Sequence, residues 1–291
     1  MPGTLTLVKE RRLSDLIAPP KGSTVLEASG VVQKGGLFYV IFDNVRQVAV
    51  IDPSLSPDSP RNGWFGRRRP GDGYEDVAYS LPLKRFFLLI EGEKHPDGNY
   101  RGLIDECDER GRFRGQRWID VPFEKRNTGF EGLAAVRWKG KDHLLALCEG
   151  NRCRSGRKGR KGGGGRIHVL ERGRTTWESI ALIKLPKTVD FMDYSAVALR
   201  GDRIAVISQM SSRMWIGRLR HGTWTVAGQG RVYDFPRTKK GKIRYCTLEG
   251  LCWLSDTTFV LVSDLSKRHY RNGCGKKDQS IHVFALPRSR T

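Results

Sequence analysis

The chain has 291 residues, of which 38% are hydrophobic and 34 are glycine, and its formal net charge is +21. This composition favours many turns and short strands over long helices, and no apolar window of about 18 residues is present to form a transmembrane helix. The charge favours anionic partners such as nucleic acid or phosphorylated molecules, although basic residues also serve solubility.

The N-terminal segment predicts an edge strand over Thr4–Lys9, which Pro19 and Pro20 separate from the rest of the chain. This start lacks the apolar core of a signal peptide, so we expect a cytoplasmic protein, or a secreted one if a signal peptide has been removed. The six cysteines form no CxxC pair, and we expect them to be free thiols.

Five short stretches resemble one another and mark the starts of five repeats. They cover residues 26–32, 74–80, 130–136, 193–199 and 248–254. Each continues through small and apolar residues, as a tightly packed strand does. Their second positions are Glu27, Glu75, Glu131, Tyr194 and Glu249.

A second β-rich run follows each of these stretches at a nearly constant spacing and ends in a polar residue. The terminal residues are Asp43, Glu91, Glu149, Gln209 and Asp264. Such regular spacing is the signature of a repeat architecture rather than of an irregular fold.

Each repeat contains strand-like runs separated by glycine-rich or acidic turns, and only the fifth lacks a clear outermost strand. The sequence therefore predicts one all-β domain over residues 1–291, a five-bladed β-propeller closed by the N-terminal strand. A two-sheet sandwich is the alternative, but it does not explain a fivefold repeat. Residues 151–166 are glycine-rich and strongly basic, which predicts a flexible insert.

In a propeller, the first strand of each blade faces the central channel. The second positions and the strand ends should then meet at one end of that channel and bring up to eight carboxylates together. Clustered carboxylates raise one another's pKa, recruit basic side chains or bind a cation. Hard oxygen donors suit Ca²⁺ or Mg²⁺ better than zinc. The alternative is structural, with each glutamate linking neighbouring blades.

The glutamate-glycine stretches around Glu131 and Glu249, with the strand ends Glu91, Glu149 and Asp264, resemble those of the phytase-like β-propellers. The resemblance implies calcium held by carboxylates at the channel mouth and a phosphorylated substrate bound through it. Carried over, the candidate metal residues are Glu27, Asp43, Glu75, Glu91, Glu131, Glu149, Glu249 and Asp264. Tyr194 and Gln209 interrupt this acidic pattern in the fourth repeat.

Three residues are candidates for acid or base catalysis: Glu131, Glu249 and His269, the last in a basic loop that could reach the channel mouth. Three others are candidates for substrate binding: Arg152, Arg268 and Tyr194. No zinc-type histidine spacing and no serine-hydrolase elbow is present.

The sequence therefore supports two functions. The first is a phytase-like hydrolase that acts on an anionic small molecule at a calcium-binding channel mouth. The second is a propeller without enzymatic activity, whose basic surface engages polyanions or an acidic protein. Nucleic acid as the partner rests on charge alone, because the basic insert has no aromatic residues for base stacking.

Overall fold

The computed structural model describes residues 2–71, 73–126, 128–266 and 274–287, and these form 21 β-strands with little helix. The helical segments are α1 Gly156–Gly159 and two 3₁₀ turns, Leu13–Asp15 and Asn151–Cys153. No helix within the described ranges is long and apolar enough to cross a membrane. The strands in chain order are β1 Gly3–Thr4, β2 Thr6–Arg12, β3 Ala28–Lys34, β4 Leu37–Phe42, β5 Val45–Ile51, β6 Gly63–Arg69, β7 Val77–Ser80, β8 Arg85–Lys94, β9 Tyr100–Asp108, β10 Phe113–Phe123, β11 Phe130–Trp138, β12 Lys141–Cys148, β13 Arg166–Arg172, β14 Thr176–Lys184, β15 Ala196–Arg200, β16 Arg203–Ser208, β17 Arg213–Arg220, β18 Thr225–Asp234, β19 Leu248–Trp253, β20 Thr258–Ser263 and β21 Ser280–Ala285.

The strands form antiparallel units of four, and the described residues contain five of them. Units one to four are β3–β6, β7–β10, β11–β14 and β15–β18, and unit five combines β19–β21 with β2. Units two and three share one sheet through a parallel contact of β10 with β14. The first strands of the units contact one another in cyclic order, β3, β7, β11, β15 and β19. The prediction of an all-β propeller is confirmed.

Each sheet buries both of its faces, which explains why the second strand of each unit is continuously apolar. In β4, Tyr39 and Ile41 pack towards unit two, whereas Val40 and Phe42 pack towards unit five. One hydrophobic cluster of this kind lies between each neighbouring pair of units. Full burial of one such side chain contributes roughly 1.5–3 kcal/mol, so the apolar faces hold the ring together.

The N-terminal strand closes the ring, as predicted. Strand β2 pairs antiparallel with β21, where Leu7 lies opposite Phe284. The short strand β1 pairs in parallel with β18 of the neighbouring unit, where Gly3 lies opposite Tyr233. The N-terminal segment therefore joins units four and five, and its strand continues to Arg12, beyond the predicted end at Lys9.

The basic insert over residues 151–166 is folded around one side chain. Asn151 is buried, and its amide donates hydrogen bonds to the carbonyl oxygens of Gly159 and Phe191. Its side-chain oxygen accepts hydrogen bonds from the Gly164 N–H and the Tyr194 hydroxyl. These bonds attach the insert to the segment that follows β14, and its flexibility stays a prediction.

Four of the six cysteines are paired, which corrects the expectation of free thiols. The disulfides are Cys148–Cys153 and Cys246–Cys274. The 3₁₀ turn after β12 brings Cys153 back beside Cys148, a proximity that sequence spacing alone does not reveal. Cys107 and Cys252 remain as free thiols. Disulfides are typical of oxidising compartments, whereas the cytoplasmic location stays a prediction.

Candidate functional site

Three of the five innermost strands, β3, β11 and β19, carry one extra residue near their start. In β11 the pairing with β12 passes from Phe130 opposite Cys148 to Gly132 opposite Leu147, which leaves Glu131 as a bulge. The same irregularity leaves Glu249 as the extra residue in β19 and Ser29 in β3. A bulge redirects a side chain from the face of a sheet, and it here places these residues at one end of the ring.

In units two and four, one backbone hydrogen bond before the first strand defines the same register as the bulges do. The Glu75 N–H donates to Leu89 O at 2.9 Å, and the Ser195 N–H donates to Ile207 O at 3.0 Å. In both units the acceptor lies two residues before the predicted strand end, as it does opposite the bulges. The structurally equivalent inner positions are therefore Ser29, Glu75, Glu131, Ser195 and Glu249.

Two residues predicted for the inner positions, Glu27 and Tyr194, are therefore out of register. The two serines that replace them make matched contacts. Ser29 Oγ donates to Tyr74 O, and Ser195 Oγ donates to Leu248 O at 2.9 Å. Each acceptor immediately precedes the inner glutamate of the next unit, so these serines connect neighbouring units.

Tyr194 lies in the hydrophobic cluster between units three and four and is 0% exposed. Its hydroxyl donates to Asn151 Oδ1 at 2.9 Å, and burial raises its pKa. A fully buried phenol offers no surface to a ligand, so the interpretation of Tyr194 as a substrate contact is corrected. The residue belongs to the packing that anchors the insert.

The predicted carboxylates come together at the channel mouth. Glu91, Glu131 and Glu149 each place one carboxylate oxygen within 4.8 Å of the other two. All three are half-buried, and Glu91 Oε1 also accepts a hydrogen bond from the Gly129 N–H at 3.0 Å. We call Glu91, Glu131 and Glu149 the glutamate triad.

The surrounding acids act on one another electrostatically. Burial, followed by the charges of Glu91, Asp43, Asp264 and Glu149, raises the pKa of Glu75 to about 8. Charges within the glutamate triad and those of the acids in units one and five therefore all contribute to the pKa of Glu75.

Other members of the cluster show the same direction of shift. Burial raises the pKa of Glu131 well above its usual value, and the charges of Glu75, Glu91, Glu149 and Glu249 raise it further.

The remaining shifts complete the set. Burial raises the pKa of Glu91 to about 7, against the lowering effects of its hydrogen bonds and of Arg126. Burial and the charges of Asp43 and Glu27 raise the pKa of Asp264 to about 7. Burial and Asp43 likewise raise the pKa of Glu27. All eight predicted carboxylates thus belong to one interacting group, which includes Glu27 despite its shifted register.

A cavity of about 270 Å³ lies between the innermost strands of all five units. Its lining is mainly small and apolar, with Gln33, Tyr79 and Arg200 as polar or charged members. The acids occupy the starts of these strands, so the ring presents hard oxygen atoms at one end and an apolar interior along the strands.

Two acids that sequence reasoning did not single out have structural roles. Asp76, next to Glu75, is buried and accepts hydrogen bonds from the N–H groups of Val77 and Leu133, both at 2.7 Å. The second of these bonds joins units two and three. Glu106, in β9, is surrounded by arginines. The sequence signal was weak, because one partner of each acid, Leu133 for Asp76 and Arg172 for Glu106, comes from another repeat.

The basic candidates are not part of the acidic group within the described residues. Arg152 is exposed on the insert, close enough to Arg166 that its charge adds to the effect of burial in lowering the pKa of Arg166. Arg268 and His269 lie outside the described residues, so their proposed roles stay predictions.

A second group of possible metal ligands consists of Cys148, Cys153 and His168. The two sulfur atoms are joined in a disulfide, and Cys153 Sγ lies 3.6 Å from His168 Nε2. Burial lowers the pKa of His168 to about 4, so this imidazole is neutral at physiological pH. With both sulfurs oxidised, the group offers no thiolate to a metal.

Comparison with known proteins supports the fold. No protein-family model matches the chain, and no curated protein matches it. A crystal structure of Myxococcus xanthus glutaminyl cyclase is similar with a TM-score of 0.58 at 13% identity, covering 99% of this chain and 100% of the other. The GH43 β-xylosidase/α-arabinofuranosidase CoXyl43, from a compost microbial metagenome, is similar with a TM-score of 0.53 at 10% identity, covering 98% and 96%. At such low identity these similarities show a shared fold, and the resemblance to phytase-like propellers stays a prediction.

Proposed function

We propose that this propeller is a hydrolase that binds a divalent cation, calcium, at its acidic channel mouth and acts on an anionic small molecule such as a phosphoester. The glutamate triad carries the proposal. Three carboxylates on neighbouring units lie within the reach of one ion, in a region where burial weakens their hydration. Such hard oxygen donors are those that calcium prefers.

The donor set fits a cation for an electrostatic reason. Burial and mutual repulsion raise the pKa values of Glu75, Glu91 and Glu131, which means that their ionised forms are destabilised. A divalent charge would relieve that repulsion. When bound, calcium would polarise the substrate and lower the pKa of a coordinated water.

The protein's own groups would supply proton transfer. A carboxyl with a pKa of about 7 or 8, such as Glu91 or Glu75, exchanges its proton near neutral pH. General acids and bases are most effective when their pKa lies near the working pH. Glu131 and Glu249 would orient or protonate the reacting group from the inner positions. The names of two enzymes with similar folds, a cyclase and a glycosidase, support a catalytic role in general but not a particular substrate.

Calorimetric titration of chelator-treated protein with Ca²⁺ tests the proposal. We expect binding in the wild type, a loss of at least about tenfold in affinity in Glu131→Gln, and unchanged binding in Glu124→Gln, an exposed control. Folding of each variant is checked by circular dichroism. If the folded wild type does not bind Ca²⁺, the calcium-dependent mechanism is rejected. If it binds, turnover of phosphoesters with and without Ca²⁺ tests the hydrolase activity.

The second candidate function is a binding platform without turnover. The net charge of +21 and the exposed basic residues of the insert, Arg152, Arg154, Arg157, Lys158 and Arg160, support it. Binding of a polyanion such as heparin or poly(U) that weakens steeply with salt, in a protein that turns over no substrate, would favour this function. Binding that is insensitive to salt would exclude it.

A further inference from the structure

A second and larger cavity lies away from the channel, between the outer strands of units one and two. Its volume is about 690 Å³, within the range of small-molecule sites. Strands β5 and β6 form one side, and β8, the end of β9 and the β9–β10 turn form the other. We call it the arginine cleft, because six arginines line it: Arg46, Arg67, Arg68, Arg69, Arg110 and Arg112.

Three of these arginines are neutralised by the protein. Arg46 lies 3.5 Å from Glu93, Arg69 lies 3.5 Å from Asp105, and Arg112 lies 2.8 Å from Asp108. None of the three acids lines the cleft.

The other three arginines carry uncompensated charge. Arg67 and Arg110 are exposed and have no ion pair within the described ranges, and Arg68 donates only to the backbone oxygen of Lys21 at 2.9 Å. Arg67 and Arg110 therefore line the cleft without a carboxylate partner in the described part of the chain, whereas the Arg68 guanidinium is directed to Lys21 O.

The two sides of the cleft approach each other closely at two glycines. Gly66 and Gly111 both have positive φ angles, +71° and +74°. A Cβ on Gly66 would lie 2.9 Å from Gly111 O, and a Cβ on Gly111 would lie 2.8 Å from Phe65 Cε1. Only glycine permits this approach, which places Arg67 of unit one beside Arg110 of unit two.

The cleft also offers planar apolar surfaces. The ring of Phe113 is 44% exposed, and the Arg69 guanidinium lies over it at 3.5 Å from the ring centroid. Phe65 contributes a half-buried ring, and Phe86 lies behind it with ring centroids 5.7 Å apart. Aromatic faces and stacked guanidinium groups bind planar heterocycles.

We propose that the arginine cleft binds a nucleotide with two phosphates. Guanidinium groups bind phosphate oxygens through paired hydrogen bonds, and Arg67 and Arg110 supply positive charge for a diphosphate, which carries roughly three negative charges near neutral pH. The base would stack on the Phe113–Arg69 pair. The enclosed volume suits one nucleotide rather than a polymer. This site is separate from the channel mouth and does not depend on its function.

Calorimetric titration of the full chain with ADP, GDP and UDP at low salt tests the proposal, with adenosine, pyrophosphate and poly(U) as comparison ligands. We expect at least one nucleoside diphosphate to bind at least about tenfold more tightly than adenosine or pyrophosphate. Pyrophosphate that binds as tightly as the nucleotides would overturn the role of the aromatic wall. Binding of poly(U) without any mononucleotide binding would overturn the small-molecule site.

Variants locate the ligand. We expect Arg67→Ala combined with Arg110→Ala to weaken nucleotide binding by roughly 10-fold to 100-fold, and Phe113→Leu by roughly 3-fold to 10-fold. Arg157→Ala, which removes one exposed positive charge from the insert, is the control and should leave binding unchanged. Glu131→Gln should also leave it unchanged, which separates this site from the channel. Equal weakening by Arg157→Ala would indicate non-specific attraction and reject the cleft.

Discussion

Two regions of this propeller hold carboxylates away from water, and the charged groups that surround these carboxylates have opposite signs. Glu106 in β9 is 0% exposed, and its carboxylate meets three guanidinium groups, from Arg85 at 3.0 Å, Arg117 at 2.6 Å and Arg172 at 2.9 Å. At the channel mouth, Glu131 instead faces other acids, and their charges raise its pKa. Charge is compensated in the first region and accumulated in the second.

The difference separates a structural acid from a candidate functional one. Arg172 belongs to β13, so the Glu106 cluster joins unit three to unit two, and the Glu106 carboxylate is fully compensated within the protein. Arginines already compensate the charge of such an acid, so it gives no reason to expect a bound cation. The channel acids repel one another in the folded state, and protons, a cation or Arg126 can reduce this repulsion. Burial alone therefore does not distinguish a candidate site from a structural acid, whereas mutual repulsion among neighbouring acids is consistent with the proposed one.

The largest expected effect comes from breaking the compensated cluster. Glu106→Gln would leave three partly buried arginines without their carboxylate, and removing one partner of a buried ion pair costs about 3–5 kcal/mol. We expect urea denaturation at pH 7 to show a loss of this size in the free energy of unfolding. Glu131→Gln should change it by no more than about 1 kcal/mol, or increase it, because it removes a repelled charge.

An equal loss of stability in Glu106→Gln and Glu131→Gln would contradict the comparison. The glutamates at the channel mouth would then act as structural links between units, which is the alternative that the sequence left open.

An intermediate effect is expected from pH. Glu75, Glu91 and Asp264 have folded-state pKa values of about 8, 7 and 7, above their unfolded values of 4.5, 4.5 and 3.8. These three groups therefore bind more protons in the folded protein between these limits, so the stability that they contribute is fully present below about pH 4 and is lost as the pH rises to about 8.

The fall should amount to roughly 1–3 kcal/mol in total, reduced from the sum of the shifts because these groups are partly solvated and share their repulsion. Urea denaturation in chelator at pH 5, 6, 7 and 8 measures it. Added Ca²⁺ should reduce the fall at pH 8. A stability that rises over this interval in the absence of cations would show that the channel acids are compensated after all.

The smallest expected effect concerns the serines at the inner positions. Ser195→Ala removes the bond from Oγ to Leu248 O, and Ser29→Ala removes the equivalent bond to Tyr74 O. Each substitution should lower the free energy of unfolding by about 1 kcal/mol, with Ca²⁺ affinity unchanged. Ser14→Ala, at an exposed serine, provides the baseline. A change in Ca²⁺ affinity would mean that the serines themselves belong to the cation site.

The repeat pattern predicted the fold because each strand run is bounded by clear turns and both sheet faces are apolar. The nearly constant spacing to the strand end also predicted that Glu91, Glu131 and Glu149 lie close together, whereas their role stays a prediction. The repeat pattern failed at Glu27 and Tyr194, because matching glutamate to glutamate cannot detect a bulge that shifts the register. The true inner positions there hold Ser29 and Ser195, which carry no acidic signal.

Features that join different units were beyond the sequence. The Glu106 cluster draws on β8, β10 and β13, and the arginine cleft combines Arg67 with Arg110 through two glycines of different units. Arg67–Arg69 were visible as a basic run, but their partner surface was not. Pairing across units depends on the closed ring, which no single repeat encodes.

The N-terminal strand has a consequence for the synthesis of the chain. Strand β2 is made before units one to four, and its partner β21 is made after them, so the fifth unit cannot be completed until β21 has been made. Until then one edge of that unit remains unpaired, and such an edge can recruit a strand from another molecule. Non-local pairings of this kind also form slowly. We therefore expect a bulky fusion before β2 to reduce the yield of monomeric protein. Molecules in which β2 has already paired with β21 should be affected less.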